Sequence, residues 1–288
     1  MITTTHPMLE LRHVTRRFGR LYAVNDVSFE VQRGQVFGYI GPNGAGKTTS
    51  MRILATLDLP TQGDALIDGF SVVDDPDRVR RRLGFMPDYF DTYRNVDVRE
   101  YLDFFGRAYG LLGAERSRAL RQVMSFTGLD QLADKPINGL SKGMKQRLCL
   151  GRAILHDPAV LVMDEPAAGL DPRARIQLRE MIGQLAADGK AILISSHILT
   201  ELAEMCDRVA IIERGKLIAA GSVEEIHAQE QPQRTVEIRL LDACEPAVKW
   251  LQERSGIRDV RVEDGLITCA HDDDLQAEAA LLRELPFP

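Results

Sequence analysis

The stretch "VFGYIGPNGAGKTTSMRILATL", residues 36–57, decides the fold. It opens on an apolar run of strand length, and "GPNGAGKT", residues 41–48, then fits G-x-x-x-x-G-K-[ST] ahead of a helix through "TTSMRILATL" that Pro60 should stop. Gly44 and Gly46 let the backbone close around phosphate oxygens, and the helix start aims its free N–H groups at them. Lys47 is expected to reach the β- and γ-phosphates and Thr48 to ligate Mg²⁺. Gly41, Pro42, Asn43, Ala45 and Thr49 complete the expected nucleotide-binding segment. The plainer alternative is a glycine turn before a structural helix; it leaves the strand–loop–helix context unexplained.

Downstream, "AVLVMDEP", residues 159–166, is a nearly all-apolar strand delivering two acids at its carboxyl end. It resembles a Walker B segment, in which Asp164 orients the Mg²⁺ shell and Glu165 is the general base for an attacking water. "AILISSH", residues 191–197, is a further apolar strand ending at a histidine. A lone histidine is more often structural, but this one stands at a strand end, where ligands gather in open α/β sheets. His197 therefore reads as a γ-phosphate contact. Continuous apolar strands alternating with helices imply a parallel sheet covered on both faces.

"LSKGMKQR", residues 140–147, has the makings of a second anion cradle: a serine and a glycine at a helix start. A cradle with no nucleotide of its own needs one from elsewhere. If two chains pack head to tail, Ser141, Lys142 and Gly143 of one clamp the γ-phosphate held by the other. Two such sites satisfy the self-complementarity of a two-fold homodimer.

Around these motifs, "LELRHVTRRF", "VSFEV" after Asn25-Asp26, "DALIDG" and "LGFMP" read as strands, and residues 97–129 as helical. An aromatic stripe at Tyr101, Phe104, Phe105, Ala108 and Tyr109 is expected to be core. "RVAIIERGKLIAAGS" reads as a hairpin around Arg214-Gly215. Composition shifts near "AQEQPQRT", giving domains at 1–228 and 235–288 with a linker at 229–234. The second domain reads β-α-β-β-α, a ferredoxin-like unit lacking its last strand or continuing past Pro288.

The 288 residues are 44% hydrophobic and 27% charged, enough for a real core, and the net charge of −6 is mixed along the chain. That argues against nucleic acid as a partner, since its binders usually carry a basic stripe. Cys149, Cys206, Cys244 and Cys269 lie far apart and read as reduced thiols. The start has neither a basic n-region nor an apolar h-region, so no signal peptide is expected. No stretch approaches the roughly 18 apolar residues of a membrane span. Any membrane role must come through a partner.

Taken in order, "GPNGAGKTT", "LSKGMKQR", "AVLVMDEP", "AAGLDP" and "SSH" resemble the nucleotide-binding subunit of an ATP-binding cassette transporter, over residues 8–228. The resemblance implies a P-loop cassette: a mixed sheet, an antiparallel β subdomain and a helical subdomain at about 88–156. It also implies ATP-driven dimer closure and hydrolysis, coupled to a separate permease that holds the chain at the cytoplasmic face of the membrane. It implies that Phe18 stacks on adenine and that Asp171 couples the two sites. The tail resembles the accessory domain of drug-exporter-type (daunorubicin-resistance-like) members. One position departs from the family. Where its Q-loop glutamine contacts Mg²⁺, this chain has Asp88, which either meets the metal or caps the following turn. The aromatic segment at 88–105, with Tyr89, Phe90 and Tyr93, is expected to form the lip of a groove for a permease helix, unless these side chains pack internally. Competing readings are a non-transport cassette protein and a regulatory nucleotide clamp.

Overall fold

The structure, a computed structural model, describes residues 6–89, 95–223, 225–226, 234–239, 245–252, 254, 257–263 and 266–271. It divides into two units, Met1–Val223 and Glu224–Pro288, where the sequence suggests a boundary at 228.

The first unit opens on two long antiparallel strands, β1 (Leu9–Phe18) and β2 (Leu21–Val31). β2 starts well ahead of the expected "VSFEV" because Asn25-Asp26 is absorbed as a strand irregularity instead of a turn. Asp26 takes a left-handed φ of 55° and donates its N–H to Thr15 Oγ1 at 3.0 Å, so the register shifts and pairing continues. β3 (Val36–Ile40) is buried throughout and leads into α1 (Lys47–Leu54). α1 ends short of Pro60, because Thr56 has already turned left-handed at φ 58°. β4 (Gln62–Ile67) and the short β5 (Phe70–Ser71) complete an antiparallel sheet ordered β2-β1-β4-β5. α2 (Pro76–Arg82), absent from the expected elements, begins with proline in its first turn and runs directly into β6 (Leu83–Met86).

The helical stretch expected over 97–129 is two helices, α3 (Val98–Ala108) and α4 (Gly113–Phe126), separated where Gly110 takes φ 82°. α3 starts on a capping box: Asp97 Oδ1 accepts from Glu100 N, and Glu100 Oε2 accepts from Asp97 N. Its aromatic stripe is core only at Tyr101, with Phe105 half-buried. Tyr101 is 2% exposed, but Phe104 is 59% and Tyr109 37%. The buried face is Val98, Tyr101, Leu102 and Gly106, so the arc bearing Phe104 and Ala108 turns outward.

α5 (Lys142–Ile154) precedes β7 (Val160–Met163), whose four side chains are fully buried. α6 (Pro172–Ala187), β8 (Ala191–Ser196), α7 (Leu199–Ala203), β9 (Arg208–Glu213) and β10 (Lys216–Ser222) follow. The β9–β10 hairpin turns at Arg214 and Gly215, both with positive φ (47° and 80°), as a two-residue turn of matching twist requires. The second sheet is ordered β10-β9-β3-β8-β7-β6, parallel except for β10. One core joins both sheets through α1: Leu9, Val27 and Phe29 meet Phe37, Val162, Leu193, Met51 and Leu54, with Phe29 stacked on Phe37 at 5.1 Å. Truncating Leu193 to alanine there should cost about 2–5 kcal/mol.

This topology positions the site. β3, β8, β7 and β6 are adjacent and parallel, so the segments after their carboxyl ends gather at one edge. Those segments are the glycine loop, His197, Asp164-Glu165 and Asp88. No helix of the described residues is long and apolar enough to cross a membrane.

In the second unit, β11 (Arg234–Arg239), α8 (Glu245–Gln252), β12 (Ile257–Glu263) and β13 (Leu266–His271) follow the expected β-α-β-β order. The sheet is antiparallel, ordered β11-β13-β12, over a small core of Ile238, Ala247, Leu251, Ile267 and Cys269. The expected helix through "LQAEAALLREL", the turn at Asp264-Gly265 and residues 229–233 of the linker lie outside the described residues.

Candidate functional site

β3 delivers the chain at Ile40, and the loop that follows can be built only with glycine where the backbone is crowded or left-handed. Gly46 sits at φ 110°, and a Cβ there would lie 2.2 Å from the Ala23 carbonyl oxygen. Gly44 has φ 80° with open space around it, so there the need is conformational. Gly46 caps α1 without a side chain, leaving the first-turn amides free of intrahelical acceptors. Lys47 is 5% exposed, and its Nζ donates to the carbonyls of Gly41 (2.6 Å) and Pro42 (3.3 Å). The same ammonium stands 3.3 Å from Glu165 Oε1.

Asp164 is 1% exposed at the end of β7. Burial pushes its carboxyl above the ordinary 3.8, and the charges of Asp88 and Glu165 add to that; hydrogen bonds from Ser195 and Thr48 pull against it. Ser195 Oγ donates to Asp164 Oδ1 at 2.6 Å and accepts from Glu165 N at 2.9 Å. This buried hydroxyl locks the two acids to β8. Its signal was one letter of "SSH", where the histidine draws the attention. Glu165 holds a left-handed φ of 48°, a strain on the order of 1–3 kcal/mol in a non-glycine residue. Its Oε2 lies 2.9 Å from His197 Nδ1, while Oε1 is buried and accepts no hydrogen bond.

A cavity of about 500 Å³ opens over these groups. Asn43, Gly44, Gly46, Lys47, Thr48 and Thr49 line it, together with Asp88 and Glu165. Leu21, Tyr22, Ala23 and Arg214 form the rest of the wall. Phe18 is not part of it: it is 49% exposed, with the Arg16 guanidinium 4.4 Å from its ring centre. Tyr22 is the aromatic that faces the cavity. Arg214 reaches the wall because its hairpin is seated on the loop, Gly215 N donating to Ala45 O (2.9 Å) and Asn25 N to Gly215 O (2.7 Å). Asp88 is exposed on the cavity side, and residues 90–94, the turn it could cap, lie outside the described residues.

The residues fit a magnesium triphosphate. Asp164, Asp88 and Glu165 bring negative charge together around the Thr48 hydroxyl, and a divalent cation would relieve it. Among the described residues no three His, Cys, Asp or Glu groups form a ready metal cage. Mg²⁺ keeps its waters and binds through one or two carboxylates plus phosphate oxygens, and Asp164 and Asp88 are the carboxylates available beside Thr48.

Ser141, Lys142, Gly143 and Asp171 are brought together, but elsewhere. Ser141 caps α5, its Oγ accepting from Met144 N at 3.3 Å, and Asp171 caps α6, its Oδ1 accepting from Ala174 N at 2.9 Å. A Cβ on Gly143 would lie 3.2 Å from Ala174 Cβ, so the two helix starts touch. None of the four lines the cavity over the glycine loop.

Residues 24–168 match the ABC transporter family. The chain is 39% identical over 224 residues to the Nod factor export ATP-binding protein I of Ralstonia nicotianae, spanning 78% of this chain and 70% of that protein. It is 37% identical over 229 residues to the ABC transporter ATP-binding protein NatA of Bacillus subtilis, spanning 78% of this chain and 93% of that protein. With the probable multidrug ABC transporter ATP-binding protein YbhF of Escherichia coli it shares 36% over 239 residues, 82% of this chain and 41% of that protein. A solved ATP binding subunit of an ABC transporter superposes with a TM-score of 0.70 at 33% identity, covering 77% of this chain and 92% of the other.

Proposed function

The chain belongs to the ABC transporter family as an ATP-binding subunit that hydrolyses ATP with Mg²⁺, and from that premise we propose that it powers export through a separate transmembrane permease. Support for export comes from its relatives, which are described as Nod factor export and probable multidrug transporter proteins.

One observation carries the assignment of residues to the chemistry: Glu165 Oε1 is buried and unbonded beside Lys47, while Oε2 is held by His197. Glu165 is the general base. It takes the proton of a water as the water oxygen bonds to the γ-phosphorus and the bond to the β,γ-bridging oxygen breaks. ADP and inorganic phosphate leave. Lys47 and the first-turn amides of α1 stabilise the charge that develops on the phosphoryl oxygens. His197, oriented through Nδ1, keeps its other ring nitrogen for the γ-phosphate. Thr48 and Asp164, with Asp88 beside them, would hold Mg²⁺, which would supply neutralisation of phosphate charge.

Two copies act together. Ser141, Lys142, Gly143 and Asp171 cluster away from their own chain's cavity, which supports their serving the nucleotide of a partner in a head-to-tail homodimer. The permease takes a different surface, a groove of about 600 Å³ lined by Leu83, Phe85 and Phe105 together with Arg80, Arg152 and Tyr109. Of the aromatic residues expected at a permease lip, Tyr89 is 71% exposed but does not line this groove, and Phe90 and Tyr93 lie outside the described residues. The accessory unit at 235–288 and the cassette at 1–228 remain separate domains in this reading, and the chain sits at the cytoplasmic face through its permease.

Purification of the full chain from detergent-solubilised membranes of its source cells tests this. A polytopic membrane protein should co-purify in stoichiometric amount, and its removal should change ATPase activity. Recovery of all the ATPase activity in the soluble fraction, with no membrane protein attached, would favour the nucleotide-dependent clamp.

A further inference from the structure

We propose that the Arg175–Glu201 ion pair positions His197 and ties it to the Asp171 end of α6, so that the γ-phosphate contact is aligned only when the dimer-facing helix is seated. This rests on the roles given to His197 and Asp171 above.

The turn carrying His197 has little structure of its own. α7 is a helix of 5 residues, and its N-cap, Ile198, offers no side-chain cap. Ser196 Oγ does the stapling instead, accepting from Ile198 N at 3.0 Å and donating to Glu201 Oε2 at 3.3 Å. Glu201 is in turn held by Arg175, whose Nη1 lies 2.9 Å from Glu201 Oε1. Arg175 stands one turn into α6, its backbone N–H bonded to Asp171 O at 3.0 Å. The connected path is therefore Asp171, Arg175, Glu201, Ser196, His197 and Glu165.

Three features separate this path from ordinary helix docking. The Glu201 side chain is 12% exposed against 69% for Glu204, so although Arg175 itself is 42% exposed, its partner is the more shielded of the two carboxylates. Arg175 Nε is buried without a hydrogen bond, a cost that packing alone would not favour. One turn further along α6, Arg179 pairs with Glu204 and joins the same two helices, yet neither residue bonds to the His197 turn. Docking of α7 is thus available without Arg175 and Glu201. What they add is the hold on Ser196.

The test uses the full chain, with phosphate release for kcat and KM and equilibrium ATP binding as the check on folding. E201A and R175A should each lower kcat about tenfold while KM for ATP stays within about twofold. The double variant should be no worse than either single one, because the two act through one contact. R175K should recover most of the rate, and E201Q, which keeps an acceptor for Ser196, should lie between parent and E201A. R179A should leave kcat near the parent value, as exposed pairs usually do. H197A should be inactive. If H197A is inactive but E201A and R175A turn over normally, the link is overturned and the role of His197 stands. Equal losses in R179A, or a raised KM with unchanged kcat, reduce the pair to docking and also overturn it. A fully active H197A removes the reading beneath it.

Discussion

His197 Nδ1 lies 2.9 Å from Glu165 Oε2, so one carboxylate oxygen is occupied in orienting an imidazole, while the other, 3.3 Å from the Lys47 ammonium, accepts no hydrogen bond. Replacing Glu165 with glutamine keeps the shape and the contact to His197 but removes the base. Glu165→Gln should bind ATP with affinity close to the parent, because Lys47, Thr48 and Asp164 are untouched. Turnover should fall by roughly 10²–10⁴-fold, the usual worth of a positioned base. ATP should then hold the dimer closed, visible as an ATP-dependent shift in size-exclusion chromatography. An active variant, or one that stays monomeric with ATP, would sink the assignment.

Tyr22 lines the nucleotide cavity and Phe18 does not, although the family resemblance puts the adenine on Phe18. Aromatic stacking on a base is worth about 1–3 kcal/mol by alanine substitution. Tyr22→Ala should therefore weaken ATP binding about tenfold and leave inorganic tripolyphosphate binding unchanged, whereas Phe18→Ala should alter neither by more than about twofold. Calorimetric titration of both ligands into both variants measures this. The reverse ranking returns the base to Phe18.

The glycine loop, Asp164-Glu165 and His197 are legible in the sequence because each is a short pattern at a strand end, where chain direction already fixes the local geometry. Ser195, Tyr22 and the Arg175–Glu201 pair are not. Their meaning comes from β8 lying beside β7, from β2 starting early at Leu21, and from α6 meeting α7, all contacts between distant segments. The α3 stripe was misread for a related reason. Periodicity identifies a helix, but which arc is buried depends on the neighbouring helices, and these cover Leu102 and Gly106 instead of Phe104 and Ala108. α2 was missed because its charged "PDRVRRR" buries only Val79, leaving no apolar period to detect.

The separation of Ser141 and Gly143 from their own cavity makes a complementation experiment decisive. Lys47→Ala removes one half of each composite site and Gly143→Asp the other, so neither homodimer has an intact site. Mixing the two chains should restore activity to about a quarter to a half of the parent rate, since half of randomly paired dimers are mixed and each has one good site. No restoration, with both chains folded and mixed dimers formed, would count against clamping in trans or against one intact site sufficing for turnover.

His156 gives the cassette a pH-dependent stability. Its Nε2 is 3.1 Å from Leu83 O, Nδ1 is buried without a hydrogen bond, and the ring stacks on Tyr109 at 4.0 Å. Burial holds its pKa below the ordinary 6.5; Lys190 lowers it further, while the Leu83 carbonyl and Asp157 oppose the shift. Below about 6.5 the unfolded chain therefore binds a proton that the folded chain resists, and stability falls as pH falls through that value and on to the lowered one. Above it the contribution is constant. Urea midpoints between pH 7.5 and pH 5.5, approximate limits chosen around that value, should drop more steeply for the parent than for His156→Gln. Parallel slopes would show that the imidazole makes no net contribution.

Asp88 stands where the family places glutamine, and a carboxylate there adds negative charge beside a triphosphate. Left uncompensated it would repel the γ-phosphate, so it needs Mg²⁺, another cation or distance from the phosphate. It lines the cavity with Thr48, Glu165, Lys47 and Arg214, and its charge is felt at Asp164; a shared Mg²⁺ shell is the compensation that a metal titration tests. A carboxylate suits this hard cation directly or through a bound water. Asp88→Ala should then raise the Mg²⁺ concentration for half-maximal ATPase activity by about tenfold, the lower end for losing a metal's supporting group. ATP affinity measured without metal should be unchanged or slightly tighter, because a repelling charge has gone. Asp88→Asn, which keeps the oxygen and loses the charge, should fall between the two. Identical Mg²⁺ titrations for parent and alanine variant would place Asp88 outside the metal shell.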